Sequence, residues 1–228
     1  LRLSRGLGDV YKRQKYRFDT MSLHSGHVPD KETGSRAVPI YQTTSYVFKD
    51  TDEAAALYNM EVGGHLYTRI SNPTIATLEQ RLASLDGGVS CVACSSGMAA
   101  MHLVVTAICS SGDHIVASNK MYGANINLLQ HTMTRFGIET TFVNPNNLEE
   151  IEKAIKPNTK LVFGEVIGNP GLDVMNVPEV AKICKKKNVP LAIDATFNTP
   201  YLMKPISYGA NIVIHLSLIH ISEPTRQP

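Results

Sequence analysis

Short apolar runs alternate with amphipathic stretches over more than half of this chain, and this alternation limits how it can fold. Between residues 89 and 215, six short runs have the composition of buried strands, and the segments between them carry apolar residues at helical spacing. One strand plus one helix takes about 25 to 30 residues, a length typical of βαβ units. The pattern therefore predicts a three-layer α/β/α fold around a mostly parallel sheet.

The predicted strands are VSCVAC, HIVAS, ETTFVN, KLVFGEV, PLAIDA and NIVIH. The helices between them are predicted to begin near Gly97, Tyr122, Asn147 and Asn176. A further helix is predicted in NPTIATLEQRLASLDG, because Asn72 can cap its start and Gly87 can end it. The chain from about residue 16 to 72 is irregular apart from the helical stretch TDEAAALYNM, which indicates an N-terminal arm without a core of its own.

Composition favours an ordinary globular protein, with 43% hydrophobic and 18% charged residues. The net charge of +2 does not favour a nucleic-acid partner, and the basic run at 185–187 is typical of a solvated helix end. No stretch approaches the roughly 18 consecutive apolar residues of a membrane span, and no secretory signal pattern opens the chain. We therefore expect a cytoplasmic protein that binds neither nucleic acid nor membrane.

The cysteines do not indicate a disulfide framework, because there are only four and they lie inside apolar segments. Cys91 and Cys94 spell C-x-x-C. In a strand, however, positions three apart point to opposite faces, so we expect two core thiols instead of a redox pair.

Polar residues follow the predicted strands, at the edge where open α/β sheets bind ligands. The segment SSGMAA, after the first strand, opens a helix whose first N–H groups can hold an anion such as phosphate; a plain helix cap is the alternative. Tyr122 follows the second strand and can either stack on a flat ligand or fasten its helix to the sheet. Asn169, held extended before Pro170, can offer its amide to a ligand oxygen.

Asp194 ends the fifth predicted strand, and a carboxylate in that place requires a partner. It can cap a turn, bind a metal, or pair with the protonated ring nitrogen of a pyridine cofactor. A metal site is disfavoured, because neither a histidine nor a second carboxylate stands beside it at ligand spacing. A dinucleotide site is disfavoured too, because no G-x-G-x-x-G follows the first strand and no acidic residue ends the second.

Six motifs, in order between about residues 18 and 215, resemble those of the Cys/Met-metabolism enzymes, which use pyridoxal 5′-phosphate on the aspartate-aminotransferase fold. They are RAVPIYQTTSYVF, YTRISNPT, SSGMAA, MYGAN, GNPGLDV and AIDATFNTPYLMKP. The resemblance implies that residues 73–215 form the cofactor-binding large domain and that residues 15–72 form an arm that contacts other subunits.

The resemblance also implies roles for residues at the strand ends. The backbone of Gly97 and Met98 would hold the cofactor phosphate. Tyr122, as a catalytic residue, would stack on the pyridine ring, and Asp194 would hold the ring nitrogen.

Further roles follow from the same resemblance. Asn169 would bind the ring hydroxyl, and Thr196 would lie beside the ring. Tyr67 and Arg69 of the YTR motif would reach the phosphate of a neighbouring subunit's cofactor, as the forked donors of a guanidinium suit a phosphate dianion. The family pattern thus implies a homodimer at least, usually a dimer of dimers.

Within the family, RAVPIYQTTSYVF and GNPGLDV most resemble O-acetylhomoserine sulfhydrylases. These transferases of methionine biosynthesis replace the acetate of O-acetyl-L-homoserine with sulfide or a thiol and give homocysteine or a thioether. Cystathionine γ-synthases and methionine or cystathionine γ-lyases share the cofactor residues and stay open as alternatives. An interpretation of another class is a short non-catalytic protein that binds phosphate ligands or joins other subunits through YTRISNPT.

The chain departs from the family pattern after His215. The family continues with His-Ser-x-Thr-Lys, whose lysine forms the Schiff base with the cofactor, whereas here Leu216 follows His215 and Ile219 occupies the lysine position. Isoleucine has no amine, so we expect the chain as given to be inactive. Residues 1–14 and 216–228 resemble translated sequencing adapter, and we expect them to be non-native ends on a truncated large domain that folds poorly.

Overall fold

The computed structural model describes residues 16–218, and the chain divides into two compact units at the junction of Val92 and Ala93. None of the helices in this described part has the length and apolarity that crossing a membrane requires.

Three helices form within residues 16–92, joined by irregular chain. They are α1 (Phe18–His24), α2 (Thr51–Tyr58) and α3 (Pro73–Asp86). The sequence pattern predicts α2 and α3 but not α1, a helix of seven residues within the stretch that the pattern indicates to be irregular.

Helix α3 begins and ends at the predicted residues. The Asn72 side chain accepts a hydrogen bond from the Thr74 backbone N–H at 2.9 Å, and Gly87 ends the helix in the left-handed conformation with φ of 78°. The Asn72 amide also donates to the Tyr41 carbonyl at 3.0 Å and to the Tyr46 hydroxyl at 3.1 Å. The cap residue thereby ties the irregular chain to α3.

The unit that begins at Ala93 contains a parallel sheet whose described strands lie in the order β2-β1-β3-β4-β5. The strands are β1 (His114–Ser118), β2 (Glu139–Val143), β3 (Thr159–Glu165), β4 (Leu191–Asp194) and β5 (Ile212–Ile214). All five lie where the sequence predicts them, so the predicted parallel sheet is confirmed.

One helix precedes β1, and the other helices connect the strands. They are α4 (Gly97–Ile108), α5 (Gly123–Asn127), α6 (Leu148–Ala154), α7 (Val177–Lys187) and α8 (Thr199–Leu202). Helix α5 continues into a π turn and a 3₁₀ turn that end at Phe136. The first four helices begin at or next to their predicted residues, and the Asn147 and Asn176 side chains cap α6 and α7.

Apolar residues cover both faces of the sheet, as three layers require. Alternate residues of β1 and β3 enter different clusters: Val116 and Val162 pack with α6 and α7, whereas Ile115 and Phe163 pack with α4 and the helical segment from α5 onward. The three-layer α/β/α fold is confirmed.

The predicted strand VSCVAC is wrong: residues 89–94 form no strand in the described part of the chain. A strand forms only where a neighbouring strand exchanges main-chain hydrogen bonds with it, and no described strand does so here. Val89 and Val92 are accordingly exposed. The expectation of two core thiols fails with it, because Cys91 is half-buried and Cys94 is exposed; both are free cysteines.

Candidate cofactor site

The carboxyl ends of the parallel strands meet at one edge of the sheet, and three predicted site residues lie there. Tyr122 follows β1, Asn169 follows β3 and Asp194 is the last residue of β4. Because β3 lies between β1 and β4, the sheet order brings these three residues around the end of β3.

Asp194 is half-buried and tightly held by Thr196. Its Oδ1 accepts the Thr196 backbone N–H at 2.9 Å and the Thr196 hydroxyl at 2.6 Å. Burial raises the pKa of Asp194, while the bonds from Thr196 and the nearby His215 oppose the rise. The Thr196 Oγ1 also accepts the Leu216 N–H at 3.0 Å, so this hydroxyl links Asp194 to the chain that leaves β5.

Gly97 and Met98 form the first turn of α4. Ser96 caps the helix, because its Oγ accepts the Ala99 N–H at 3.1 Å. Backbone N–H groups in a first turn have no acceptor within their own helix and can therefore bind an anion. Ser96 caps the Ala99 N–H, so the N–H groups of Gly97 and Met98 can still bind an anion at this helix end.

Leu216 lies against Gly97. A Cβ atom at position 97 would stand 3.3 Å from Cδ2 of Leu216, which is tighter than ordinary van der Waals contact. An apolar side chain therefore occupies space beside the N-terminus of α4. A bound anion would be better held there by a hydrogen-bond donor.

Tyr122 has a fixed main chain and a half-exposed side chain. Its N–H donates to Oε1 of Glu165 at 2.8 Å, and its carbonyl accepts the Asn125 N–H at 2.9 Å. Its side chain remains 50% exposed, as stacking on a ligand requires.

Glu165, the last residue of β3, belongs to the site although the sequence pattern does not single it out. It is only 7% exposed. Besides the Tyr122 N–H, its Oε1 accepts the Asn125 amide at 3.4 Å, and its Oε2 accepts the Asn169 N–H at 3.1 Å. The signal that points to Asp194, a carboxylate ending an apolar strand, is present at Glu165 as well.

The environment of Glu165 disfavours its charged form. Burial is the main cause, and together with the negative charge of Asp194 it raises the pKa of Glu165 to about 7; the bonds from Tyr122, Asn169 and Asn125 oppose this rise.

Asn169 lies in the loop that follows β3 and is half-buried. The peptide bond between Asn169 and Pro170 is cis. The preceding residue, Gly168, is closely packed. A Cβ atom at this position would overlap the carbonyl oxygen of Lys120, in the loop after β1. Glycine at 168 thus lets the two loops meet.

Three predicted residues remain. Tyr67 and Arg69 belong to the unit that ends at Val92, where the Arg69 guanidinium carbon stands 5.2 Å from the centroid of the Tyr67 ring. Ile219 lies outside the described residues. Within residues 16–218, no group of three His, Cys, Asp or Glu side chains is placed to hold a metal ion.

The groups at the sheet edge suit a flat, phosphorylated ring. Such a ligand requires three groups, and all are present. Asp194 offers a carboxylate on which both bonds from Thr196 go to Oδ1, Tyr122 offers a half-exposed aromatic ring, and α4 offers its N-terminus. The apolar Leu216 is the single described feature that fits a phosphate poorly. Fold and site together define an α/β protein of the class that binds a phosphorylated heterocycle at its strand ends.

Comparison with known proteins identifies the family. Residues 19–221 match the model of the Cys/Met metabolism PLP-dependent enzymes, PLP being pyridoxal 5′-phosphate, and the chain belongs to this family. The cofactor prediction is thereby confirmed, and the chain belongs to a family of enzymes.

Individual proteins that are similar to this chain support the family assignment. The chain is 45% identical over 202 residues to O-acetyl-L-homoserine sulfhydrylase of Leptospira meyeri, covering 89% of this chain and 46% of the relative. It is 38% identical over 203 residues to L-methionine gamma-lyase of Fusobacterium nucleatum subsp. polymorphum, covering 89% and 51%. The chain therefore spans about half the length of the curated relatives it matches.

A solved structure shares the fold. It is a putative O-acetylhomoserine (thiol)-lyase of Campylobacter jejuni subsp. jejuni, similar with a TM-score of 0.86 and 37% identity, over 89% of this chain and 50% of that one. That crystal structure contains N'-pyridoxyl-lysine-5'-monophosphate.

Proposed function

We propose that the protein containing this chain exchanges the acetate of O-acetyl-L-homoserine for sulfide or a thiol, giving homocysteine or a thioether. The observation that carries the proposal is the convergence of Tyr122, Asn169 and Asp194 at one sheet edge, within the range that matches the family. The 45% identity to a sulfhydrylase supports this substrate class.

Pyridoxal phosphate supplies an electron sink for negative charge at the reacting carbons of an amino acid. In this chain, Asp194 would hold the protonated ring nitrogen. Since Thr196 donates twice to Oδ1, Oδ2 is the oxygen proposed for that contact. A cationic ring nitrogen beside Asp194 would favour the carboxylate form and offset the cost of its burial.

The other site residues orient the ring and bind its substituents. Tyr122 would cover one ring face, and the Asn169 amide would bind the ring hydroxyl. The N–H groups of Gly97 and Met98 would hold the phosphate, which the dipole of α4 also favours. Thr196 acts on Asp194 in this proposal, because its hydroxyl donates to that carboxylate.

The chain as given would bind the cofactor without catalysing the exchange. Ile219 stands at the family's lysine position and has no amine to form a Schiff base or to move protons.

Tyr67 and Arg69 would contact a second copy of the chain. Arg69 is exposed, and its guanidinium lies over the Tyr67 ring, so the pair presents a positive charge on the surface of its unit. We propose that this pair reaches the cofactor phosphate of a neighbouring subunit in a cytoplasmic homo-oligomer.

A chimera tests the proposed activity. Residues 19–215 of this chain are joined to the second half of the Leptospira meyeri sulfhydrylase, beginning at the family's Ser-x-Thr-Lys segment. We expect acetate release from O-acetyl-L-homoserine only when sulfide or a thiol is present, and we expect Asp194→Ala in the same chimera to abolish it. Ammonia and a keto acid from methionine would instead identify a γ-lyase, the function named for the 38% identical relative. A folded chimera without either reaction would contradict the proposal.

A further inference from the structure

Glu165 stands at the centre of the strand ends, and its two carboxyl oxygens face different segments of the chain. Oε1 accepts the N–H of Tyr122, in the loop after β1, at 2.8 Å. Oε2 accepts the N–H of Asn169, in the loop after β3, at 3.1 Å. On its other side, Glu165 is the register partner of Asp194 on β4.

We propose that Glu165 is a positioning residue of the cofactor site. Its carboxyl group fixes the main chain of Tyr122, which covers one ring face, and of Asn169, which binds the ring hydroxyl. This inference rests on the proposed function, because the spacing of these residues matters only if a ring binds among them. Glu165 itself touches no part of the ring in this account.

The geometry requires a side chain with two acceptor oxygens. Tyr122 is the residue immediately before α5, and its N–H has no acceptor within that helix, so this N–H depends on an acceptor from elsewhere. A glutamine at 165 would keep one acceptor, but its NH₂ group would face the N–H of either Tyr122 or Asn169. One of these two partly buried donors would then lose its partner, which frees that loop to move.

The charges around Glu165 support a role in the site. Asp194 faces it from β4, and His215, after β5, acts on Asp194 in turn. Burial and Asp194 together raise the pKa of Glu165 to about 7. Below this pH the two neighbouring carboxyl groups do not both carry charge, so a ring nitrogen meets one carboxylate.

The test uses the 228-residue chain and pyridoxamine 5′-phosphate, which lacks the aldehyde and so does not react with surface lysines. Glu165→Gln is compared with Glu139→Gln, the same change at an exposed residue that opens β2. Amide hydrogen exchange at Tyr122 and Asn169 is measured in the free chain, and the ligand Kd is measured by calorimetry.

We expect Glu165→Gln to speed exchange at one or both of these amides at least tenfold and to weaken pyridoxamine phosphate binding about tenfold. Exchange in β1 and β4 should stay unchanged, and Glu139→Gln should behave as wild type. Glu165→Asp keeps both oxygens on a shorter side chain and should give intermediate values; it replaces Glu165→Gln if that variant does not fold.

The outcomes separate the two proposals. Equal exchange and equal Kd in the wild type and the Glu165 variants would overturn the positioning role alone. A wild-type chain whose amides in β1 and β4 are protected from exchange, and which is therefore folded, but which binds no pyridoxamine phosphate would overturn the proposed function, and the positioning role with it.

Discussion

Glu165 and Asp194 are register partners on the neighbouring strands β3 and β4, so two carboxyl groups end adjacent strands at the same edge of the sheet. Burial raises the pKa of both groups, and the charge of Asp194 raises that of Glu165 further. The candidate site therefore contains a pair of neighbouring acids, of which Glu165 changes its charge near neutral pH.

The stability of the chain should fall as Glu165 ionises. Its pKa rises from 4.5 to about 7 on folding, so the folded state binds more protons between these values. The contribution of protonated Glu165 to the free energy of unfolding is complete below pH 4.5 and is lost as the pH rises through about 7. Urea unfolding between pH 5 and 8 should show the wild type losing up to about 3 kcal/mol relative to Glu165→Gln. Parallel pH profiles of the two chains would contradict this pKa shift.

His114 should make the chain sensitive to acid. Its ring nitrogens lie 2.8 Å from the hydroxyls of Thr159 and Thr141, and burial, with a smaller effect of Lys156, lowers its pKa. Because its pKa is lowered, neutral His114 contributes to the stability of the fold above about pH 6.5, and this contribution is lost as the pH falls.

Urea unfolding of His114→Gln tests this acid dependence. Between pH 7 and 5 the wild type should lose more stability than His114→Gln, and His102→Gln, an exposed change on α4, should follow the wild type. At pH 7, His114→Gln should be destabilised by about 1 to 3 kcal/mol, because the hydroxyls of buried Thr159 and half-buried Thr141 each lose a partner. An equal acid loss in all three chains would count against a neutral buried His114.

Three of the four cysteines should differ in their reactivity with a thiol reagent. Cys94 is exposed, whereas Cys109 and Cys184 are buried and burial raises their pKa values to about 11 and about 12. In the native chain at pH 8, labelling at Cys94 should be fast, and Cys109 and Cys184 should label only after urea is added. Mass spectrometry of the labelled peptides distinguishes the sites, with Cys94→Ser as control. Fast native labelling of Cys184 would show that α7 is not packed as described.

Leu216→Ser should strengthen phosphate binding. The Leu216 side chain lies against Gly97, and a hydroxyl there would remove an apolar group and add a donor. We expect a Kd for pyridoxamine 5′-phosphate about tenfold lower than wild type, which corresponds to about 1.4 kcal/mol. Leu202→Ser, an exposed change on α8, should leave the Kd unaltered. An unchanged or higher Kd in Leu216→Ser would place the phosphate elsewhere.

Local patterns explain which parts of the fold the sequence predicts. Asn72 and Gly87 cap a helix through neighbouring residues, and β1, β3 and β4 are continuous apolar runs. Residues 89–94 are just as apolar, but a strand depends on a partner that local composition does not reveal.

The same limit applies to the site. Asp194 and Tyr122 are visible as polar or aromatic residues that end or follow an apolar run. Glu165 also ends an apolar run, but its role comes from contacts made in the fold, one of them with Tyr122, 43 positions away along the chain. Only the sheet order β1-β3-β4 places these residues side by side.

The central claim is that the strand ends of this chain bind a phosphorylated pyridine through Asp194, and calorimetric titration of the 228-residue chain with pyridoxamine 5′-phosphate tests it most directly. The account predicts saturable binding at one site per chain, weakened at least tenfold by Asp194→Asn. Absence of saturable binding, or equal affinity in the wild type and Asp194→Asn, would contradict it.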